Sequence, residues 1–216
     1  MTRVAGLTYT YRIVVKRTRG PIEKFFHKNR LLQVAAQVFG ERGLRDATID
    51  DLIAAAGVSR RTFYQYFTSK EQLLVELFTV SCDLLLRALR AEIRRATGTE
   101  RIRRCVEVYL AFRRRAGPIM HELEAEALRP GSPLATLRRQ LLDAASIELA
   151  GGIRDAAGRT ADPLVVHGVL VALEGISQRM QSPEPYSEER ARAAMLRIAL
   201  AALSLPDETA PALPMT

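Results

Sequence analysis

The sequence has little cysteine, no tryptophan and no long apolar run, and these shortages exclude several classes of protein. Only Cys82 and Cys105 are cysteines among 216 residues, too few for the disulfide framework of a small secreted protein. No stretch of about 18 residues is both apolar and uncharged, as a membrane-spanning helix requires. The N-terminal residues also lack the long apolar stretch and cleavage site of an export signal. We therefore expect a soluble protein of the reducing cytoplasm.

Motifs of the common enzyme classes are missing as well. The sequence has no glycine-rich phosphate loop after a strand, no nucleophile elbow, no HExxH and no CxxC. His121 and Glu124 have the i, i+3 spacing of metal ligands on one helix face, but no third or fourth ligand of suitable spacing accompanies them. We expect neither an enzyme nor a cofactor or metal site.

Apolar residues recur at helical spacing along almost the whole chain. No stretch alternates with a period of two for long enough to indicate a strand. A hydrophobic content of 48% can build a sizeable core, so the predicted fold class is all-α. After a first helix that ends near Phe39, helices are expected over 49–56, 60–67, 70–96, 99–116, 119–128, 134–159, 164–181 and 188–205.

Residues 48–70 have the pattern of two short helices joined by a glycine turn. Thr48 precedes an apolar-periodic run and Asp51 follows three residues later, a capping-box arrangement that should start a helix at Ile49. Gly57 can adopt the positive φ that ends this helix and turns the chain. The pattern predicts a helix-turn-helix, the geometry that lays a helix into the DNA major groove.

The second of these helices, capped by Ser59, has an apolar and a polar side. Phe63 and Phe67, spaced i, i+4, should point inward to the supporting first helix. The outward side chains are rich in groups that bond phosphates or base edges: Arg60, Arg61, Thr62, Gln65 and Tyr66. Ser69 caps a third helix whose positive N-terminus coincides with Lys70, which predicts a phosphate site.

The distribution of charge supports the same interpretation. Residues 1–70 hold 13 Lys and Arg against 5 Asp and Glu, whereas residues 71–216 hold 19 of each. The whole net charge of +8 therefore lies on the predicted DNA-binding third, and binding should weaken steeply with salt. A high arginine content set by genome base composition would explain many arginines, but not their unequal pairing with acids.

A longer set of residues, from Arg30 to about Phe78, completes a known pattern. It consists of Phe39, Thr48, Leu52, Ala56-Gly57-Val58-Ser59, Thr62-Phe63-Tyr64, Tyr66-Phe67, Lys70 and Leu73. This region resembles the N-terminal domain of TetR-type transcriptional repressors. The resemblance implies that phosphates are contacted by Thr48, Ser59, Tyr64, Tyr66 and Lys70. It also implies that bases lie nearest to Arg60, Arg61, Thr62 and Gln65. Ile53 stands where the family usually has Ala, and Tyr66 where His is common.

We expect four parts along the chain. They are a flexible basic arm (1–22), a three-helix helix-turn-helix DNA-binding domain (23–70), a larger helical effector-binding and dimerisation domain (71–205) and a disordered tail (206–216). The arm could reach a DNA groove. Alternatively, it is a solvated tail or an upstream start that the working protein does not use.

The last two long helices are apolar on more than one face, so each needs a second partner surface. Two symmetry-related copies would supply it through a four-helix interface and would place two reading helices on half-sites of a near-palindromic operator. Burial within one monomer is the alternative. TetR-type proteins dimerise through their last two helices, so the resemblance also implies a homodimer.

The resemblance further implies an internal cavity for a small-molecule effector that releases the protein from double-stranded DNA. Four polar residues are predicted to contact this ligand: Tyr109, Arg113, His121 and His167. A surface position is the alternative for each of them. The expected function is therefore a dimeric, ligand-responsive repressor, and a DNA-binding architectural or activating protein without an effector pocket is the alternative.

Overall fold

Helices make up most of the chain that the structure describes. The computed structural model describes residues 21–154, 157–180 and 186–205. Within these ranges the only extended pairing is an isolated bridge between Arg154 and Thr160, and the predicted all-α fold is confirmed. The helices are α1 (Pro21–Arg42), α2 (Ile49–Ala56), α3 (Arg60–Tyr64), α4 (Lys70–Arg95), α5 (Gly98–Ala116), α6 (Pro118–Leu128), α7 (Pro133–Gly152), α8 (Pro163–Arg179) and α9 (Glu188–Ala202).

Residues 1–20 of the predicted arm and the predicted tail, 206–216, lie outside the described residues. The last two residues predicted for the arm belong to α1, which begins at Pro21.

Side-chain caps fix the starts of the helices. The hydroxyls of Thr48, Ser59 and Ser69 each accept a hydrogen bond from a backbone N–H in the first turn of α2, α3 and α4. Gly57 ends α2 with a φ of 62°, in the left-handed region where glycine has no steric penalty. These caps are local, and they confirm the starts predicted from the sequence.

Three helices end at least three residues earlier than their sequence pattern predicts, and one of them is α9, which stops at Ala202 instead of residue 205. The predicted end of α3 near Phe67 is wrong, since the helix stops at Tyr64, and Gln65 and Tyr66 form a turn. The predicted extension of α7 to residue 159 is also wrong, because the helix stops at Gly152. A Cβ at Gly152 would lie 2.4 Å from Ile93 Cγ2, so the last residue of α7 lies close against α4.

The buried side chains form two clusters. The first joins α1, α2, α3 and the start of α4 to α6, around the fully buried Phe39, Phe63 and Phe67. The second joins the rest of α4 to α5, the end of α7, α8 and α9. We refer below to α1–α3 as the reader and to α4–α9 as the bundle.

Candidate DNA-binding surface and internal cavity

The reader exposes one flank of α3 and buries the other. Phe63 and Phe67 are buried, and their ring centroids lie 5.9 Å apart. On the opposite flank Arg60, Arg61 and Gln65 are exposed, whereas Thr62 is half-buried. Packing of the two phenylalanines against the core therefore holds the polar flank outward, as the i, i+4 spacing predicts.

The two arginines of this flank differ in their partners. Arg60 Nη2 lies 2.5 Å from Asp50 Oδ1, an ion pair in which both side chains are exposed. Arg61 is exposed and has no ion-pair partner among the residues that the structure describes. Arg61 thus presents a guanidinium without an ion-pair partner in the described chain. This group forms bidentate hydrogen bonds with phosphates and with guanine edges.

The predicted phosphate-binding hydroxyls stabilise helix starts. Thr48 Oγ1 accepts from the Asp51 backbone N–H at 3.2 Å and donates to Asp51 Oδ2 at 2.7 Å. The hydrogen bond from the Thr48 backbone N–H is the largest of the effects that lower the pKa of Asp51. Ser59 Oγ accepts from the Thr62 N–H at 3.0 Å. Both residues are exposed, so each retains acceptor or donor capacity toward an outside group.

Of the two tyrosines in the predicted phosphate set, Tyr64 is the last residue of α3 and Tyr66 lies in the turn that follows. Tyr64 is exposed, and its ring meets Phe63 edge to face at a centroid distance of 5.4 Å. Tyr66 is half-buried against the core of the reader. Both rings are therefore anchored by apolar contacts on one side.

Lys70 occupies a position that its sequence pattern does not reveal. Its Nζ donates to three backbone carbonyls in the loop between α1 and α2, at 2.8 Å to Leu44, 3.3 Å to Arg45 and 2.9 Å to Ala47. An ammonium has three donors, and all three are engaged here. The side chain of Lys70 thus fastens the α1–α2 loop to the start of α4.

The bundle encloses a cavity of about 320 Å³ between α4, α5, α6, α7, α8 and α9. Apolar side chains such as Leu86, Phe112 and Leu170 line most of it. A volume of this size is within the range of small-molecule sites, which are mainly apolar with a few placed polar groups.

The structure brings only one of the four predicted ligand-binding residues to the cavity. Tyr109 lines it, whereas Arg113 is buried outside the lining and pairs with Glu124. His121 lies outside the lining, and its Nδ1 is buried with no hydrogen-bond partner among the described residues. His167 lies outside it as well, with Nδ1 3.3 Å from Asp143 Oδ1.

Four charged residues on the cavity wall are absent from the predicted set: Asp83, Glu124, Arg138 and Glu174. Arg138 Nε donates to Glu174 Oε1 at 2.9 Å, and Nη2 forms a second bond to Oε2. Burial raises the pKa of Glu124 to about 7, although the guanidinium of Arg113 acts in the opposite direction. Residues on different helices form these pairs, so no local spacing in the sequence indicates them.

The two cysteines also line the cavity. Burial raises the pKa of the Cys82 thiol to about 12 and that of the Cys105 thiol to about 11. Both thiols are therefore protonated near neutral pH and have the character of small apolar side chains.

Among the described residues no group of three His, Cys, Asp or Glu side chains could hold a metal ion. None of the described helices is long and apolar enough to span a membrane.

Taken together, these features define a helix-turn-helix domain joined to a helical bundle with an internal cavity. Residues 31–77 match the family described as bacterial regulatory proteins, tetR family. The match confirms the resemblance that the sequence pattern predicts, and it covers most of the reader and the start of α4.

The proteins similar to this chain include both an activator and a repressor of transcription. The HTH-type transcriptional activator FasR of Mycolicibacterium smegmatis is 34% identical over 86 residues, 39% of this chain and 39% of the relative. The HTH-type transcriptional repressor KstR2 of Mycobacterium tuberculosis is 38% identical over 63 residues, 29% of this chain and 32% of the relative. The chain thus spans two fifths or less of the length of these curated relatives.

The fold extends over more of the chain than this sequence similarity. The fatty acid degradation regulator FadR from Bacillus halodurans has a solved structure that superposes with a TM-score of 0.62 at 19% identity. The superposition covers 87% of this chain and 97% of that one, so the reader and the bundle share its architecture.

Proposed function

We propose that this protein is a transcriptional regulator that binds a near-palindromic DNA operator as a homodimer and leaves it when a small molecule fills the cavity. The observation that carries the proposal is the polar flank of α3, which the buried Phe63 and Phe67 hold outward. Such a helix can enter the major groove and contact base edges. Such a regulator acts in the cytoplasm, where it meets its DNA.

Within this proposal, Arg61 and Gln65 read bases, because both are exposed and their guanidinium and amide groups can bond base edges in the major groove. Arg60 and Thr62 lie beside them, and Arg60 exchanges Asp50 for DNA at the surface. The backbone contacts come from Thr48, Ser59, Tyr64 and Tyr66 at the edges of the reader, and from the N-terminal turn of α4 at Lys70.

Exposed apolar faces on α8 and α9 support the dimer. On α8, Leu164, Gly168, Val171 and Gly175 are exposed at helical spacing, and a Cβ at either glycine would meet nothing within 4 Å. Ile198, Ala201 and Ala202 form an exposed apolar face on α9. Apolar faces with small residues allow a second pair of helices to pack closely, as a four-helix interface requires.

Helix α6 offers a path from the cavity to the reader. Met120 and Glu124 line the cavity on one side of this helix. On the other side Ile119 packs against Gly40 of α1, and Glu122 Oε2 accepts a hydrogen bond from the Leu44 N–H at 3.4 Å. A ligand that shifts α6 would therefore shift the reader and change the distance between the two α3 helices of a dimer.

Titration with duplex DNA at low ionic strength tests the binding proposal. We expect sites selected from fragmented genomic DNA to bind, with Arg61→Ala lowering affinity and relaxing the preference at one or two base pairs by about 1–3 kcal/mol. Arg139→Ala, a change of an arginine on α7, serves as the matched control. Absence of any complex with the unaltered protein, or an Arg61→Ala variant with unchanged affinity and preference, would contradict the proposal.

Sedimentation analysis tests the interface. Val171→Glu should convert a dimer to a monomer and weaken binding to a two-half-site duplex, because it buries an unpaired carboxylate. Leu84→Glu introduces the same charge at an exposed apolar position on α4 and should leave the dimer intact. A monomeric unaltered protein, or a dimer that withstands Val171→Glu, would contradict the proposed interface.

A further inference from the structure

The polar groups on the cavity wall are not equally available to a ligand. Arg138 is the one guanidinium in the described lining, and two hydrogen bonds to Glu174 engage it. An anionic ligand would have to break this pair to gain a cationic partner. Arg113 has unpaired N–H groups, but it lies outside the lining and its Nη1 binds Glu124.

Tyr109 and Glu124 are the residues of the described wall with an unpartnered polar atom, and Glu124 is the carboxylic acid of the two. Its Oε1 accepts from Arg113, whereas its Oε2 has no hydrogen-bond partner among the described residues. The residue is only 5% exposed, so water from outside does not compensate. A buried carboxylate oxygen without a donor is costly, and a ligand that supplies the donor recovers this free energy.

Most of the charged side chains that line the cavity are acidic. The charged lining residues are three carboxylates, Asp83, Glu124 and Glu174, against the single guanidinium of Arg138. Asp83 is paired with Arg87 toward the surface, at 2.6 Å. The remaining lining is overwhelmingly aliphatic and aromatic, which suits a hydrocarbon body.

From this arrangement we infer that the cavity takes a lipophilic base, an apolar molecule whose protonated amine donates a hydrogen bond to Glu124 Oε2. The inference rests on the proposed function, since it names the chemical class of the effector at the same cavity. Glu124 would act as the residue that selects an ammonium over a carboxylate of equal length.

Protonation of Glu124 adds a dependence on pH. Because the pKa of this carboxyl is raised to about 7, it is charged above that pH and increasingly neutral below it. The titratable and charged groups that act on it or share its surroundings are Tyr109 and Arg113 of α5, Arg138 of α7, Glu174 of α8 and Cys82 of α4. An amine should therefore bind more weakly as the pH falls through 7, whereas a neutral ligand should not.

Calorimetric titration of the full chain with three ligands of equal length provides the test: n-octylamine, 1-octanol and octanoate. At pH 8 we expect octylamine to bind about tenfold or more tighter than octanol, since a hydrogen bond to a charged group is stronger than a neutral one, and octanoate to bind most weakly. Glu124→Gln should abolish the preference for the amine and change octanol affinity by less than about threefold. Glu126→Gln, on the same helix but paired with Arg129 outside the cavity, is the matched control.

The outcomes separate this inference from the proposed function. Tightest binding of octanoate, unchanged amine affinity in Glu124→Gln, or no binding of any of the three ligands would overturn it. If Glu124→Gln does not fold, the pH dependence of ligand binding to the unaltered protein tests the inference. The inference predicts that octylamine affinity falls between pH 8 and pH 6 and that octanol affinity does not. Amine binding that leaves the affinity for a genomic DNA site unchanged would contradict effector release but not the ligand class.

Discussion

The reader and the bundle are both helical, but they differ in how their interiors are packed and in how their buried polar groups are hydrogen-bonded. In the reader, Phe39, Phe63 and Phe67 fill the interior, and the hydroxyls at the helix starts and Lys70 satisfy backbone groups. The bundle surrounds a cavity of about 320 Å³, and Tyr109, Arg113, His121 and Glu124 each have a buried polar atom without a hydrogen-bond partner in the described chain. A binding surface that must keep one shape is supported by a closely packed core. A site that must accept a ligand has empty volume and polar atoms without hydrogen-bond partners.

The largest expected effect compares the same truncation in the two regions. Leu52→Ala removes a fully buried side chain from the reader and should cost about 2–5 kcal/mol in the free energy of unfolding. Leu173→Ala enlarges an existing cavity and should lie at or below the low end of that range, because fewer contacts are lost. Urea unfolding measures both values. Equal losses would contradict the difference in packing between the regions.

The next effect sharpens the comparison through pH. The pKa of Glu124 is about 7 in the folded chain against an ordinary value of 4.5, so the folded state binds this proton more tightly than the unfolded state. Lowering the pH from about 7 toward 4.5 should therefore stabilise the unaltered protein relative to Glu124→Gln, by up to about 3 kcal/mol. Unfolding of both proteins at several pH values checks this. A constant difference would show that the carboxyl is not destabilised by burial.

Lys70 offers a third test, at the junction where the start of α4 contacts the α1–α2 loop of the reader. Replacement by Met keeps the aliphatic stem but leaves the carbonyls of Leu44 and Ala47 without their donor, so we expect a loss of about 1–3 kcal/mol in stability. Because the ammonium is engaged inside the protein, the salt dependence of DNA binding should change little. Arg61→Ala should instead leave stability unchanged and relax the preference for particular base pairs. A reduced salt slope in Lys70→Met would instead assign its ammonium to a phosphate.

The smallest effect concerns adjacent glycines at the end of α7. A Cβ at Gly152 would collide with Ile93, and overpacking of this kind costs about 1–3 kcal/mol, partly offset by the higher helix propensity of Ala. Gly151 has open space around its Cα, so Gly151→Ala should be neutral or stabilise by about 0.5–1 kcal/mol. Thermal unfolding of the two variants gives the comparison. A Gly152→Ala variant as stable as Gly151→Ala would contradict the close approach of α4 and α7.

Much of the reader could be predicted because its determinants are local. Thr48 and Asp51 cap each other within one turn, and Phe63 and Phe67 share a face because they are four residues apart. Propensity and periodicity likewise mark most helix starts. The predicted end of α7 was wrong, and the close contact of Gly152 with Ile93, a residue far away in the sequence, could not be obtained from local spacing.

The cavity was the part that the sequence described least well. Of the four residues predicted to contact a ligand, Tyr109 alone lies on the wall of the cavity. Arg138 and Glu174 pair across α7 and α8, and Arg113 pairs with Glu124 across α5 and α6. Each pair requires the packing angle and register of two helices, and neither quantity can be obtained from the spacing of residues along one of them.

By itself, the sequence determined the all-α class, the capped helix-turn-helix and the outward flank of α3, since each follows from contacts within a few residues. Only the tertiary structure decided that the ammonium of Lys70 fastens the α1–α2 loop and that Glu124 keeps an unused oxygen at an apolar cavity. The physical reason is that burial and pairing of a polar group depend on which helices surround it, and this is settled only when the helices pack.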